Sequence, residues 1–363
     1  MRIFERMAKT GHEQLIFCCQ GQSGLRMVIG IHDTTMGPAI GGTRMYPYAT
    51  EDEVIEDVLR LSHGMTCKSA ASGSDFGGGK AVVWGDPDTG KDEVLFRALG
   101  RHVESLQGRF ITGTDVGTTA QDFVWAARET RFLVALPEEH GGSGDSSITT
   151  AFGVWKGIKA CIQELTGHPG LGDRTVAVQG LGKVGAKLVG YLCQEGARVT
   201  VTDTDPERVR KVVAEHTVEV CQAEAIYDVP CDVFSPCALG GILNDETIPR
   251  LRCRAVSGGA NNQLAEDRHG DLLYKMGILY APDFVVNAGG LIQVSEEFPE
   301  FRRERALART AAIYDRLLSI FAISRDEGIP THRAADLTVQ RRLAALAGLG
   351  RIHVPSPKGS ATR

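Results

Sequence analysis

The sequence predicts an α/β protein of two domains, and three observations carry that reading. Its 363 residues exceed what one hydrophobic core ordinarily serves. Short β-branched runs alternate with amphipathic stretches of helical period along most of the chain. A glycine-rich loop, Gly180-Leu181-Gly182-Lys183-Val184-Gly185, stands between a strand pattern and a helix pattern. The expected division is a mixed-sheet domain over 1–147, joined by a C-terminal helix at about 331–363, and a doubly wound domain over 148–330. The totals narrow the function. With 42% hydrophobic and 23% charged residues, a sizeable core is available. A net charge of -5 argues against a general nucleic-acid binder, which needs a basic face. No apolar run approaches the ~20 residues of a membrane span, and Met1 to Arg6 has no apolar signal core. Nine cysteines with no Cys-x-x-Cys pair imply reduced thiols in the cytoplasm rather than disulfides or a metal site. Cys18, Cys19, Cys231 and Cys237 read as small buried residues.

The first half opens with two strands, Gln14 to Cys19 and Leu25 to His32, joined by a turn at Gly21 to Gly24. Gly37 to Arg44 is either a tight turn or a backbone wall beside a ligand, with Arg44 as an anion partner. Thr50 to Gly64 is a helix: Thr50 and Glu53 form a capping box, and Val54, Val58, Leu59 and Leu61 its apolar stripe. Lys68 follows that helix, where a lysine is ordinarily solvated. Gly77-Gly78-Gly79-Lys80 then leads into the buried strand pattern Ala81 to Trp84. Three consecutive glycines cost backbone entropy and imply that something approaches the chain closely. A phosphate loop is excluded, since Ser74 and Ala81 stand where that pattern needs Gly and Ser or Thr. What remains is a lysine withheld from water, whose ammonium form is disfavoured so that it can act as a general base, or an exposed lysine after a flexible turn. Asp92 to Leu106 is helical and Arg109 to Thr112 a strand, which places Asp115 at a strand end. There it is a turn aspartate or a carboxylate in the cleft of Lys80. His140 to Ser147 is glycine-dense and marks the domain boundary, with hinge character.

The second half begins with a helix over Thr149 to Leu165, then a strand over Arg174 to Gln179 that runs into the glycine loop. The next strand, Arg198 to Thr202, ends at Asp203, 23 positions past Gly180. Strand, loop, helix and distal acid together are the full context of a dinucleotide site. Gly180 allows the tight turn, Gly182 admits a pyrophosphate to the helix N-terminus, and Gly185 permits close helix–strand packing. Asp203 would accept hydrogen bonds from the ribose hydroxyls and repel a 2′-phosphate, so NAD is favoured, a preference Arg208 softens. Further strands are expected at Asp232 to Phe234, Ala255 to Ser257 and Gly277 to Tyr280. Gly258 to Asn262 follows one of them at its carboxyl end, where ligands sit in such sheets. Asp283 to Asn287 leads to the close-approach pair Gly289-Gly290; Glu304 to Leu318 and Ala334 to Ala345 are helical, and the tail from Pro355 is expected to be disordered.

Taken together, Gly41 to Arg44, Gly64 to Lys68, Phe76 to Lys80, Thr112 to Thr118, Gly180 to Gly185, Gly259 to Asn262 and Asn287 to Gly290 resemble the amino acid dehydrogenase family that includes the glutamate, leucine, valine and phenylalanine enzymes. The resemblance runs from about His12 to about Gly328. It implies Lys80 as the base that activates water, Lys68 as the clamp on the substrate carboxylate, and Asp115 as the proton shuttle at the amino group. It implies Asn261, Asn262 and Asn287 beside substrate and nicotinamide, and a substrate wall of Ile40, Gly42, Gly113, Leu291 and Val294. For NAD it implies Arg44, Asp115, Ser146 and Thr150 ahead of the glycine loop, and Leu181, Lys183 and Val184 within it. Thr204 and Arg208 beyond Asp203, and Ala238, Leu239 and Ala260 further on, complete that set. Cys67 departs from the aromatic or aliphatic residue more usual there, which puts the packing beside Lys68 in question. No second cation for a glutamate side chain is evident, and the phenylalanine branch is the nearest likeness. The missing methyl at Gly113 is expected to make room for a ring. The implied activity is reversible deamination of L-phenylalanine to its 2-oxo acid and ammonia by a homo-oligomer, an octamer in that branch. Leucine or a branched-chain amino acid is the alternative substrate. A catalytically silent NAD-binding regulator and a hydroxy acid dehydrogenase are the alternatives from other classes.

Overall fold

The computed structural model describes residues 2–298 and 300–348. The first part of the chain runs α1 (Ile3–Thr10), β1 (Gln14–Gln20), β2 (Leu25–Asp33), β3 (Ala39–Ile40), β4 (Thr43–Tyr46), α2 (Glu51–Ser72), β5 (Gly77–Trp84), α3 (Glu93–Ser105), β6 (Phe110–Ile111) and α4 (Ala120–Ala126). The second runs α5 (Ser147–Thr166), β7 (Thr175–Gln179), α6 (Lys183–Gln194), β8 (Arg198–Thr202), α7 (Pro206–Glu215), β9 (Glu219–Val220), β10 (Cys231–Pro236), β11 (Cys253–Val256), α8 (Asp267–Lys275), β12 (Leu279–Tyr280), α9 (Asp283–Val286) and α10 (Gly289–Ser295). Helices α11 (Arg303–Ala311), α12 (Ile313–Glu327) and α13 (Thr331–Ala347) follow.

The first sheet is mixed. Its order is β1-β2-β5-β3-β6 with β4 on the other end of β5; β1, β2 and β5 are antiparallel, while β3 and β4 run parallel to β5. One face packs on α3 and α4 through Phe96, Leu99, Val103 and Phe123. The other receives α2 through Val54 and Val58 against Val28 and Val82. The second sheet is wholly parallel, in the order β12-β11-β10-β7-β8-β9. Sequence order reverses between β7 and β10, so ligands belong outside the carboxyl ends of those two strands. The largest core packs α5, α6, α12 and α13 on this sheet and includes Ala70 and Ala71 of α2. Helix α13 is tied to the first domain by Arg342, which donates to the carbonyls of Ala70 and Ser74, both at 2.8 Å. Among the described residues no helix is long and apolar enough to cross a membrane.

Several expectations change here. Helix α2 does not end at Gly64 but continues to Ser72, where Gly73 closes it in the left-handed conformation at φ 71°. Gly64 is tolerated inside it because its side-chain position faces open space. Lys68 therefore projects from a helix, not from a loop. The predicted cap is present: Thr50 Oγ1 accepts from Glu53 N, while Glu53 itself reaches Ala49 N rather than Thr50 N. The helix expected over 149–165 starts two residues earlier, at Ser147. That expected over 304–318 is two helices, α11 and α12, meeting at Ala312. The stretch His140 to Ser147 is not loose throughout, since Ser143 is buried and bonded on three sides. All nine cysteines are unpaired; Cys19 is exposed, and Cys231 and Cys237 are only partly buried. The tail from Pro355 lies outside the described residues.

Candidate active site

The site is assembled by glycines that let backbone approach backbone. A methyl group on Gly78 would overlap Thr66 of α2, and one on Gly79 would meet the Phe110 ring at 2.8 Å. At Gly77 it would strike the Asp33 carbonyl. What comes close to the triple glycine is thus the protein itself and not a ligand. Gly78 seats one turn of α2 directly on β5, which brings Lys68 into the neighbourhood of Lys80. Gly42 acts likewise on the other side: a methyl there would meet the Thr114 carbonyl at 2.6 Å and Asp115 Cβ at 3.0 Å. The bridge Thr43–Thr114 and the parallel pairing of β4 on β5 then aim Asp115 at Lys80.

The product of this packing is a short chain of alternating charges. Lys80 Nζ lies 3.0 Å from Asp115 Oδ2, which also accepts from Arg44 Nε at 3.1 Å. Arg44 Nη1 donates in turn to Asp57 Oδ2 at 3.0 Å. Arg44 is therefore paired with two protein carboxylates, whereas the sequence suggested a ligand anion. The Lys80 side chain is only 7% exposed. Burial lowers its proton affinity, Asp115 opposes that shift, and Arg44 adds to it. Lys68 is lowered to about 8, first by burial and also by Lys80, against the pull of Asp283 and Asp115. Burial alone would raise the Asp115 carboxyl, but Lys80 and Arg44 outweigh it and hold it below its ordinary range.

These three groups open on a cavity of about 190 Å³ lined by Ile40, Met65, Val134, Leu291 and Val294, with Gly42, Gly113, Ala135, Ser146 and Gly290. Ile40, Ile111, Val134 and Leu291 form one buried apolar cluster behind it. Gly113 has another purpose than the one expected: the space of its missing methyl is filled by the Val134 carbonyl, 2.5 Å from that position. The glycine draws in the wall carrying Val134 and does not enlarge the cavity directly. That wall is fastened by Glu297, which accepts from Ala135 N at 3.0 Å and from Ser143 N at 3.1 Å. Cys67 packs against the main core, with His63 Nε2 at 3.8 Å from its sulfur.

Beside this cavity lies a larger cleft of about 870 Å³ between the two domains, lined by Thr114, Ser146, Thr150, Lys183 and Val184 among others. A third recess of about 450 Å³ sits at the switch point, lined by Gly180, Gly182, Asp203, Thr204, Arg208, Ala238 and Leu239. The residues here fit a dinucleotide. Gly180 has φ 95°, nothing lies within 4 Å of the side-chain position of Gly182, and Gly185 packs on the Gly180 carbonyl. Asp203 stands at the end of β8 and accepts from Leu181 N at 2.6 Å, so that N–H serves the loop and is not free for a phosphate. The Leu181 side chain is core. Asn287 Nδ2 donates to Asn261 Oδ1 at 2.8 Å, while Asn287 Oδ1 is buried without a partner among the described residues, as an acceptor awaiting a ligand amide would be. Asn262 is left-handed at φ 51°, and the Ala260 carbonyl is taken up by Gln263 and Asn287.

The sequence thus named most of the polar groups that meet here. It missed Met65 and Val134, although Met65 lies in a motif and Val134 in an apolar run. It also missed Asp57, Asp283 and Glu297, which no local pattern marks.

Comparison with known proteins agrees with this geometry. Residues 12–132 match the sequence family described as Glu/Leu/Phe/Val dehydrogenase, dimerisation domain, and residues 200–304 match Glutamate/Leucine/Phenylalanine/Valine dehydrogenase. A phenylalanine dehydrogenase of Thermoactinomyces intermedius is 50% identical over 99% of both chains. One of Caldalkalibacillus thermarum is 54% identical over 95% of this chain and 94% of that one. A leucine dehydrogenase of Thermoactinomyces intermedius is 49% identical over 94% of each. The crystal structure of L-tryptophan dehydrogenase from Nostoc punctiforme superposes with a TM-score of 0.86 at 41% identity, covering 94% of this chain and 99% of that one. The chain belongs to the Glu/Leu/Phe/Val dehydrogenase family and is an amino acid dehydrogenase, an oxidoreductase acting on CH–NH2 donors.

Proposed function

We propose that the protein catalyses NAD-dependent, reversible oxidative deamination of L-phenylalanine to phenylpyruvate and ammonia. The observation that carries this reading is the junction of Lys68, Lys80 and Asp115 with a cavity whose remaining lining is apolar side chains and glycines, with Thr114 and Ser146 but no further charge. A glutamate side chain would need a further cation there, and Arg44 is already engaged by Asp57 and Asp115. Thr114, Ser146, Thr150, Lys183 and Val184 line the cleft that would hold a nicotinamide dinucleotide, which when bound would supply a hydride acceptor for the substrate Cα. Lys68, in its charged form, clamps the substrate carboxylate, and that carboxylate in return favours its ammonium. Lys80 is then the lysine left to lose its proton, as burial, Arg44 and Lys68 all disfavour a second charge. Neutral Lys80 takes a proton from the attacking water, and Asp115 carries protons to and from the nitrogen as ammonia departs. Met65, Val134, Leu291 and Val294 hold the side chain by apolar contact alone, which discriminates weakly, by ~1–3 kcal/mol per methylene. Leucine is the second reading, supported by the leucine dehydrogenase relative.

NAD is the proposed cofactor over NADP because the Asp203 carboxylate would face a 2′-phosphate. Arg208, the cation that would offset this, leans on Asp203 at 3.7 Å and on Asp205 at 3.4 Å. Self-association into a homo-oligomer, an octamer by the resemblance, is supported by the dimerisation domain named for residues 12–132. The test is a panel of initial rates with phenylalanine, leucine, tryptophan and glutamate, each with NAD and NADP, together with ammonia release. The expected result is the highest kcat/KM for phenylalanine with NAD. A higher value for leucine or tryptophan would overturn the substrate assignment, and turnover without ammonia the reaction class.

A further inference from the structure

We infer that Asp57, on the far side of Arg44 from the cavity, is a positioning residue that keeps Arg44 from capturing Asp115 and so leaves that carboxylate on Lys80. The inference rests on the reading of Lys80 as the base. Its geometry is a relay. Asp115 Oδ2 is shared by Lys80 Nζ at 3.0 Å and Arg44 Nε at 3.1 Å. The other arm of the guanidinium, Nη1, is drawn to Asp57 Oδ2 at 3.0 Å. Asp57 is itself fixed: Tyr48 OH donates to Oδ2 at 2.5 Å, and Arg60 Nη2 to Oδ1 at 2.7 Å. Its side chain is only 13% exposed, although it lies on the rim of a recess shared with Glu53 and Glu56.

A guanidinium prefers to grip one carboxylate with two parallel N–H donors. Split between two carboxylates, Arg44 gives Asp115 a single bond and leaves the same oxygen open to Lys80. Without Asp57, Nη1 loses its carboxylate partner, with only the Tyr48 hydroxyl left on that side, and Arg44 can close on both oxygens of Asp115. The charge balance changes in the same direction. The groups facing Lys80 are Asp115, Arg44 and, further off, Asp57 and Lys68. Those facing Asp57 are Arg44 and Tyr48 from the β4 side and Arg60 from α2. Of the two acids beside Asp57, Glu56 pairs with Arg6 of α1 and Glu53 accepts from Ala49 N. Removing the Asp57 charge takes away an anion that favours the Lys80 ammonium and leaves Arg44 balanced by Asp115 alone, which disfavours that ammonium. A weakened Lys80–Asp115 contact disfavours it as well. Both effects make Lys80 lose its proton at lower pH.

The test is the pH profile of kcat/KM for phenylalanine in Asp57→Asn, Asp57→Glu and Tyr48→Phe, with melting temperature as the control for folding. In the unaltered enzyme the rate is expected to rise with pH as Lys80 deprotonates. In Asp57→Asn this limb is expected to move to lower pH by about half a unit or more, as for loss of a partly screened unit charge, with a lower plateau. Asp57→Glu, which keeps the charge, should move it less. Tyr48→Phe, which removes one anchor of Asp57, should move it in the same sense and serves if Asp57→Asn does not fold. A limb unmoved in folded Asp57→Asn, or in Tyr48→Phe where only that variant folds, overturns the inference. Absence of such a limb in the unaltered enzyme instead overturns the reading of Lys80 as the base.

Discussion

Alanine at position 78 would press a methyl group into the turn of α2 that carries Thr66. The added carbon would stand 2.6 Å from Thr66 Cα, where carbon atoms ordinarily rest about 3.5–4.0 Å apart. Either α2 or β5 must therefore yield by about 1 Å. Overpacking of this kind costs about 1–3 kcal/mol, which lowers the melting temperature by about 2–4 °C per kcal/mol in a domain of 150–250 residues. The larger effect falls on activity. Lys68 stands two residues beyond Thr66 on the displaced helix, and a shift of about 1 Å in a reacting group costs about 100-fold. The assay is calorimetry together with kcat and KM for phenylalanine; KM should rise, because the residue moved is the carboxylate clamp. Gly64→Ala on the same helix is the control. Its side-chain position meets nothing within 4 Å, and alanine is favoured over glycine in a helix by about 1 kcal/mol, so that variant should be as stable or more so with normal kinetics. Unchanged melting and unchanged kcat/KM in Gly78→Ala would refute the claim that this glycine exists to seat α2.

Two further expectations follow from the same geometry. Gly113→Ala with Leu291→Val should move the ratio of kcat/KM for phenylalanine over leucine towards leucine by about ten-fold, since the first substitution displaces Val134 and the second trims another lining side chain; an unchanged ratio would contradict the pocket assignment. The imidazoles of His12 and His32 meet edge to face, as do those of His32 and His63 on α2, and burial lowers all three, His12 to about 4. A histidine whose folded pKa is depressed is protonated more readily in the unfolded chain, so its contribution is intact above 6.5 and is lost as pH falls towards 4. Urea midpoints measured from pH 7 to pH 4 should fall steeply, and less steeply in His12→Gln; a flat profile would contradict the stacking argument.

Much of this was legible in the chain itself. The dinucleotide loop announces itself because strand, glycines, helix and acid are local in sequence and each answers one steric or electrostatic demand. Lys80 and Asp115 were nameable as candidates, but their meeting depends on β4 lying parallel to β5, a long-range pairing that no local pattern encodes. The end of α2 is not legible at Gly64 because glycine usually stops a helix, while here it sits on an open face where its lost contacts cost little. The triple glycine marks a place of close approach, but which group approaches, here Thr66 of α2, Phe110 and the Asp33 carbonyl, is set by the tertiary fold. Arg44 looked like a ligand cation because its true partners, Asp57 and Asp115, are 13 and 71 residues away. Glu297 and Val134 escaped notice for the same reason: their roles come from elements that the fold, and not the sequence, sets side by side.

The claim on which the rest depends is that Lys80 is the base, and Lys80→Ala tests it most directly. NADH binding, followed by fluorescence, separates loss of chemistry from loss of the cofactor site. The account predicts that turnover of phenylalanine falls by a factor of about 100 to 10,000 or more, while NADH binds with affinity close to that of the unaltered enzyme. Deamination at a near-normal rate by a folded Lys80→Ala protein would contradict it.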